Sequence, residues 1–330
     1  MFLLAAVLVA CGGNNNDNNN NNANDNANNE ENANNDNNDN NNNNDNNNDN
    51  AANNNDSEGL ELGQTELSVP YVPWAREEIS THILAALLEE VGYEVETLQV
   101  EAGPMFASVA DGDSDFHTSA WLPATHEEYW EDYGDDLVKV KEMIDKAPLA
   151  LAVPEYVEDI NTMEDLKDNE EFGDSVDWEI IGIDGGAGIM GNTEKALEEY
   201  GLDDWELVQS SEAAMLTELQ EAIENEEPII VPLWKPHWIF GAADVEIKML
   251  EDPKEIYGGD GDQIYTVARK GLEEDAPAAY HILEQYEESY EMLEELMPLV
   301  HDEGQDVEDV AQQFLDDNPD LVEEWTEGIK

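Results

Sequence analysis

Basic residues are scarce in this chain: 12 Lys and Arg stand against 81 Asp and Glu, a formal charge of −69. Phosphate backbones are held by Lys and Arg, so the balance excludes nucleic acid as a ligand. Cysteine occurs once, at Cys11, which leaves neither an intramolecular disulfide framework nor a Cys/His cluster for zinc. The apolar opening stretch MFLLAAVLVA is about half the length needed to span a bilayer as a helix. Neither G-x-x-x-x-G-K-[ST] nor H-E-x-x-H is present, so phosphate hydrolysis and zinc chemistry have no support, and no metal or cofactor is expected.

What is present divides into two unlike parts. Positions 14–56 hold 29 Asn among 43 residues and no large apolar side chain. Such a composition buries too little surface to offset its ordering entropy, so 12–60 reads as an Asn-rich disordered tether. Ahead of it, Leu8-Val9-Ala10-Cys11 resembles the end of a bacterial lipoprotein signal over 1–11, with Cys11 acylated as the mature N-terminus and the protein anchored outside the cytoplasm. Ten of the acids precede Gly59, so the remainder carries 71 acids against all 12 bases, a net of −59. Charge of that density suggests a salt-loving host, since at about 1 M salt the Debye length falls to roughly 3 Å.

From residue 66 onward, strand and helix signals alternate. A strand over 66–72 is followed by an amphipathic helix over 76–91, with Ile79, Ile83, Leu87 and Val91 on one stripe and Gly92 after its end. Strands are expected over 93–100, 115–120, 137–140 and 149–153. A second series follows: strand 179–184, helix 192–200, strand 205–209, helix 212–225 with Ser211 as N-cap, and strand 228–233. Strands 245–250 and 263–267 precede helices over 277–300 and 307–325. Two such series predict an α/β chain with two lobes, each around its own mostly parallel sheet.

Ligands of open α/β sheets bind at the carboxyl ends of strands. Trp74, Trp121 and Trp234 each stand at such an end, whereas Trp130, Trp178, Trp205, Trp238 and Trp325 read as packing residues. A quaternary ammonium has no N–H to donate and is held by dispersion and by the negative faces of aromatic rings, Trp best of all. A zwitterion also needs an anion site. The glycine turn opening a helix at Gly188-Ile189-Met190 offers unpaired backbone N–H groups and the positive end of a helix dipole. His126, five residues past Trp121, either donates to the same carboxylate or simply begins a helix. The turn also spells G-x-G-x-x-G at Gly186, Gly188 and Gly191, with Glu212 roughly where a ribose-binding acid would stand. An extracytoplasmic dinucleotide-dependent oxidoreductase is therefore the alternative.

Taken together, Tyr71-Val-Pro-Trp74, Glu101-Ala-Gly-Pro-Met105, Ser119-Ala-Trp-Leu-Pro-Ala-Thr-His126, Gly182-Ile-Asp-Gly-Gly-Ala-Gly-Ile-Met190 and Pro232-Leu-Trp-Lys-Pro-His-Trp238 resemble the glycine betaine/proline betaine substrate-binding proteins of osmoprotectant ABC transporters, the OpuAC-like family. The likeness runs from about Leu67 to Gly328. It departs in Asp-Gly-Gly-Ala-Gly, where the family often has Asp-Pro-Gly-Ser-Gly, and in Pro232-Leu233, where Thr-Gly is more usual. The resemblance implies a two-lobed periplasmic-binding-protein-like fold of type II with two crossover strands, lobe 1 spanning 61–150 plus 261–330 and lobe 2 spanning 151–260. It implies a prism of Trp74, Trp121 and Trp234 around the trimethylammonium group, and a carboxylate site of Gly188, Ile189 and His126. The implied partners are a small zwitterion such as glycine betaine and a membrane permease with its cytoplasmic ATPase. No catalysis is implied.

Overall fold

The computed structural model describes residues 59–242 and 246–329. Cys11, the signal over 1–11 and nearly all of the Asn-rich segment lie outside the described residues. The first α/β series comprises β1 (Glu66–Tyr71), α1 (Ala75–Glu90), β2 (Glu94–Gln99), α2 (Ala102–Asp111), β3 (Phe116–Leu122), α3 (Glu127–Tyr133) and β4 (Leu137–Ala147). The second comprises β5 (Leu149–Pro154), α4 (Glu170–Ser175), β6 (Glu179–Ile181), α5 (Gly188–Tyr200), β7 (Glu206–Val208), α6 (Glu212–Asn225), β8 (Val231–Trp234), α7 (Ile239–Ala242) and β9 (Ile247–Met249). The chain then returns through β10 (Asp262–Arg269) to α8 (Leu272–Asp275), α9 (Pro277–Gln285), α10 (Tyr290–His301), α11 (Val307–Asp317) and α12 (Pro319–Trp325).

The expectation of mostly parallel sheets is corrected. β1 and β2 pair in parallel, as do β6 and β7, but β3-β10-β4 and β8-β5-β9 are antiparallel triplets. The physical reason lies in the crossings. β4 runs straight through Pro148 into β5, and β10 comes back from the second series to lie between β3 and β4, so each crossing segment opposes its neighbours. Single backbone bonds, Asp115 N–H to the Ser68 carbonyl and Ile181 N–H to the Ile230 carbonyl, tie each parallel pair to its triplet. The two crossings touch at Gly261, whose φ is +107°. A side chain there would meet the backbone of Ala147 and Pro148 at 2.8 Å, which reserves the position for glycine.

Other departures have local causes. β4 runs eleven residues instead of four, because its charged Lys139, Lys141 and Glu142 belong to an outer strand paired only with β10. α5 begins at Gly188, four residues before the expected start, and α2 was not expected at all. Each begins in a glycine-containing stretch of weak helix propensity and is held by burial of Ile189 and Met190 in one case, of Met105, Phe106 and Val109 in the other. The two long C-terminal helices each divide, at Tyr286–Ser289 and at Asn318-Pro319. Ser289 caps α10 by accepting from Met292 N–H at 3.1 Å, and Pro319 starts α12 where its missing N–H is not needed. α6 and its Ser211 cap are as expected.

β3 buries all seven of its residues, including His117, Thr118 and Ser119. Their surroundings differ: Ser119 borders a cavity, Thr118 faces Thr81 at 3.4 Å, and His117 packs edge-on against Phe106 at 4.6 Å.

Candidate functional site

The C-terminal ends of β1, β3 and β8 and the start of α5 converge on a cavity lined among others by Trp74, Trp121, His126, Gly188, Ile189 and Trp234. The three tryptophans are buried yet border empty space. None of the other five lines the cavity: Trp325 packs on Tyr286 at 4.9 Å between ring centroids, Trp205 lies against Phe172 and Trp178, Trp238 is buried, and Trp130 sits under Lys139. Each cavity tryptophan is fixed by its surroundings. Trp74 precedes α1 and donates Nε1–H to Asp184 Oδ2 at 3.2 Å. Trp121, opposite Ile264 of β10, donates to Ser119 Oγ at 3.1 Å. Trp234, opposite Leu149 of β5, meets the His237 ring edge-on at 5.2 Å.

His126 does begin a helix, α3, but its ring does not cap it. Nδ1 instead accepts the backbone N–H of Trp121 at 3.1 Å, which assigns the proton of the neutral ring to Nε2. Burial pushes its pKa down to about 3, so the ring is neutral at pH 7 and offers one donor. Trp74 stacks on it at 6.2 Å, and Phe106 and Tyr129 touch it edge-on at 5.2 and 5.8 Å.

Gly188 and Ile189 are the first two residues of the thirteen-residue α5, so their N–H groups have no partner within the helix and sit at its positive end. A Cβ on Gly188 would stand 2.0 Å from the Thr125 carbonyl oxygen. Only glycine allows α5 to approach the turn that carries His126. That turn is anchored in its own right, because buried Asp262 accepts the N–H groups of Ala124 and Thr125 at 2.8 Å each. Tyr129 adds a bond across the same approach, its hydroxyl donating to the Gly186 carbonyl at 2.7 Å.

Sequence reasoning missed part of the lining. Arg76 and Glu77, two and three residues past Trp74, also border the cavity. The Arg76 guanidinium donates to the Thr118 carbonyl and to Glu288, with Nε and Nη2 at 2.9 and 2.7 Å from Oε2, and both partners are almost fully buried. The available signal was an arginine beside a strand-end tryptophan in a chain with 12 bases. Glu77 looked like an ordinary first-turn helix acid. Glu212 corrects the dinucleotide reading: it is buried, accepts the Ala75 N–H at 3.2 Å and faces His237 Nε2 at 3.2 Å, so it is not free to take a ribose hydroxyl.

A cavity lined by three tryptophans together with backbone and imidazole N–H donors suits a small molecule with a cationic, apolar head and an anionic tail. The chain is similar to proteins with related properties. It is 39% identical over 193 residues to the glycine betaine/carnitine transport binding protein GbuC of Listeria monocytogenes, a match covering 58% of this chain and 63% of that protein's length. A glycine betaine, L-proline-binding protein (ProX) from Borrelia burgdorferi superposes with a TM-score of 0.75 at 34% identity, covering 79% of this chain and 96% of the other. Lactococcal OpuAC, solved closed with glycine betaine, superposes at 0.73 and 32% identity, covering 80% of this chain and all of the other. These likenesses bear out the two-lobed, type II periplasmic-binding-protein fold. The family described as the substrate binding domain of ABC-type glycine betaine transport systems matches residues 65–317, and the chain belongs to it.

Proposed function

We propose that this protein captures glycine betaine, or a closely related quaternary-ammonium zwitterion, and passes it to a membrane permease powered by a cytoplasmic ATPase. The reading is supported above all by one observation: all six residues expected from the sequence to hold the zwitterion line the same cavity. Trp74, Trp121 and Trp234 hold the trimethylammonium group, each ring contributing about 1–2 kcal/mol when desolvated. The N–H groups of Gly188 and Ile189 and Nε2–H of His126 hold the carboxylate through charge-assisted bonds of about 1.5–3 kcal/mol each. Capture involves no covalent step and no cofactor, and the protein is not an enzyme. Lobe 1 is formed by 61–150 with 261–330 and lobe 2 by 151–260, and ligand is taken as they close about the two crossings. The protein acts outside the cytoplasm, acylated at Cys11, with 12–60 as its tether.

Calorimetric titration in molar salt tests the assignment. Glycine betaine should bind at least about tenfold more tightly than choline, which keeps the head group but leaves the carboxylate donors without an anion. Trp74→Ala, Trp121→Ala and Trp234→Ala should each weaken betaine binding, while Trp325→Ala should affect only stability. Undiminished binding in two of the three cavity variants would sink the cage.

A further inference from the structure

Glu77 is the third residue of α1, a position where an acid normally reaches solvent. Here it is 1% exposed and lines the cavity. Its Oε1 accepts the Val72 N–H at 3.1 Å, while buried Oε2 has no hydrogen-bond partner. Ser119, whose Oγ already accepts from Trp121, lies close enough to ease ionisation of Glu77 without making a well-formed bond to it. We infer that Glu77 is a specificity-determining residue, the counter-charge that selects a cationic head group over an uncharged one of the same shape. The inference rests on the reading of the cavity as a quaternary-ammonium site.

The surrounding charges support it. On α1, Arg76 is committed to Glu288 of the α9–α10 linker and to Thr118, and Glu78 faces His301 of α10 at 3.6 Å. From α6, Glu212 brings like charge, shared with His237 after β8. His117 and His126 are both pushed down to about 3 by burial and are neutral near pH 7. Burial is the largest influence on Glu77 and pushes its pKa up to about 8; the neighbouring Arg76 favours the carboxylate but is committed to Glu288 and does not offset burial. A trimethylammonium group supplies the missing charge but no proton donor. Its arrival favours the carboxylate, and the carboxyl proton leaves to solvent: Glu77-COOH plus cation gives Glu77-COO⁻ paired with the cation, plus H⁺. The free protein holds the proton below pH 8 and the complex does not, so affinity rises with pH, by up to about tenfold per unit for one coupled proton, and levels off above about pH 8.

Titrations of glycine betaine into the full-length protein at pH 7, in two buffers of different ionisation enthalpy, count the protons released. The expected result is release of a large fraction of one proton, together with affinity that climbs from pH 6 to 8. In Glu77→Gln, which keeps the bond from Val72, release should vanish. Betaine should then bind at least about tenfold more weakly at pH 8.5, and Glu77→Asp should restore proton release. 3,3-Dimethylbutanoate, which keeps the carboxylate but has an uncharged tert-butyl head of the same shape, should at pH 7 bind wild type and Glu77→Gln alike, with no release from either. A wild type that binds betaine without proton exchange and with pH-independent affinity overturns the inference while leaving the betaine site standing, and needs no variant to be seen. Wild-type affinity retained by Glu77→Gln at pH 8.5 overturns it equally. A wild type that does not bind betaine overturns the reading of the cavity and the role of Glu77 together.

Discussion

The imidazole of His126 can serve as a carboxylate donor at neutral pH because a backbone amide occupies its other nitrogen. Trp121 N–H points at Nδ1, so the neutral ring is the Nε2–H tautomer, and burial keeps it neutral far below the usual range. Nitrogen-15 spectra of the histidine rings should show this tautomer for His126 at pH 7 and still at pH 5. The sign of the associated stability follows from the lowered pKa. His126 and His117 are neutral when folded but protonate near 6.5 when unfolded, so their contribution is complete above 6.5 and is lost as pH falls through about 3. These two rings therefore pull the melting temperature down as pH drops below 6.5, against the opposite contribution of Glu77, whose raised pKa favours the folded state as pH falls; His126→Gln should remove part of the downward pull. In binding, His126→Ala should weaken betaine and leave choline nearly unaffected; equal losses for both would mean that the ring shapes the pocket and does not read the carboxylate.

At the scale of elements, α5 separates a glycine needed for approach from one that is not. Gly188 abuts the Thr125 carbonyl, whereas Gly191, one turn further along the same helix, has nothing within 4 Å of where a Cβ would stand. Alanine is favoured over glycine in helices by roughly 0.5–1 kcal/mol, so on propensity alone both substitutions would stabilise the ligand-free protein slightly. Their effects on binding should diverge. Gly191→Ala should leave betaine affinity unchanged, while Gly188→Ala, whose methyl meets backbone at 2.0 Å, should lower it by about tenfold or more by holding α5 away from the His126 turn. Titration calorimetry beside thermal melts of the two variants makes the comparison; equal affinities would show that the turn yields.

The molecule as a whole must fold against its own charge. Beyond the Asn-rich segment 71 acids face 12 bases, and several lysines are taken up by aromatic rings: Lys139 lies over Trp130 and Tyr265, Lys235 over Phe240 and Lys254 over Tyr200. The ion pairs of Lys146 and Lys270 are exposed and contribute little. Most of the acid repulsion is thus left to solvent ions. Raising salt from about 0.1 to 2 M should lift the melting temperature by roughly 10 °C, equivalent to a few kcal/mol at about 2–4 °C each. Affinity for a net-neutral zwitterion should move much less. A salt-independent melting temperature would mean that the fold compensates its charge internally.

The amino-acid sequence by itself determined the α/β alternation, α6 with its Ser211 cap, and the candidates Trp74, Trp121, Trp234, His126, Gly188 and Ile189. These are legible because periodicity, caps, glycine turns and strand-end aromatics are short-range signals whose chemistry does not depend on distant neighbours. Tertiary structure decided the rest. The antiparallel triplets arise from where the crossing strands β5 and β10 return, and the length of β4 from its single partner. Most of all, tertiary structure decided the fate of the charges. A first-turn glutamate reads the same at Glu77 and at Glu78, yet one borders the cavity at 1% exposure and the other does not line it. Glu212 likewise reads as a helix-start acid and ends buried between Ala75 and His237. Burial and pairing depend on neighbours that the fold brings up, as Ala75 meets Glu212 across 137 residues, and no local pattern encodes them.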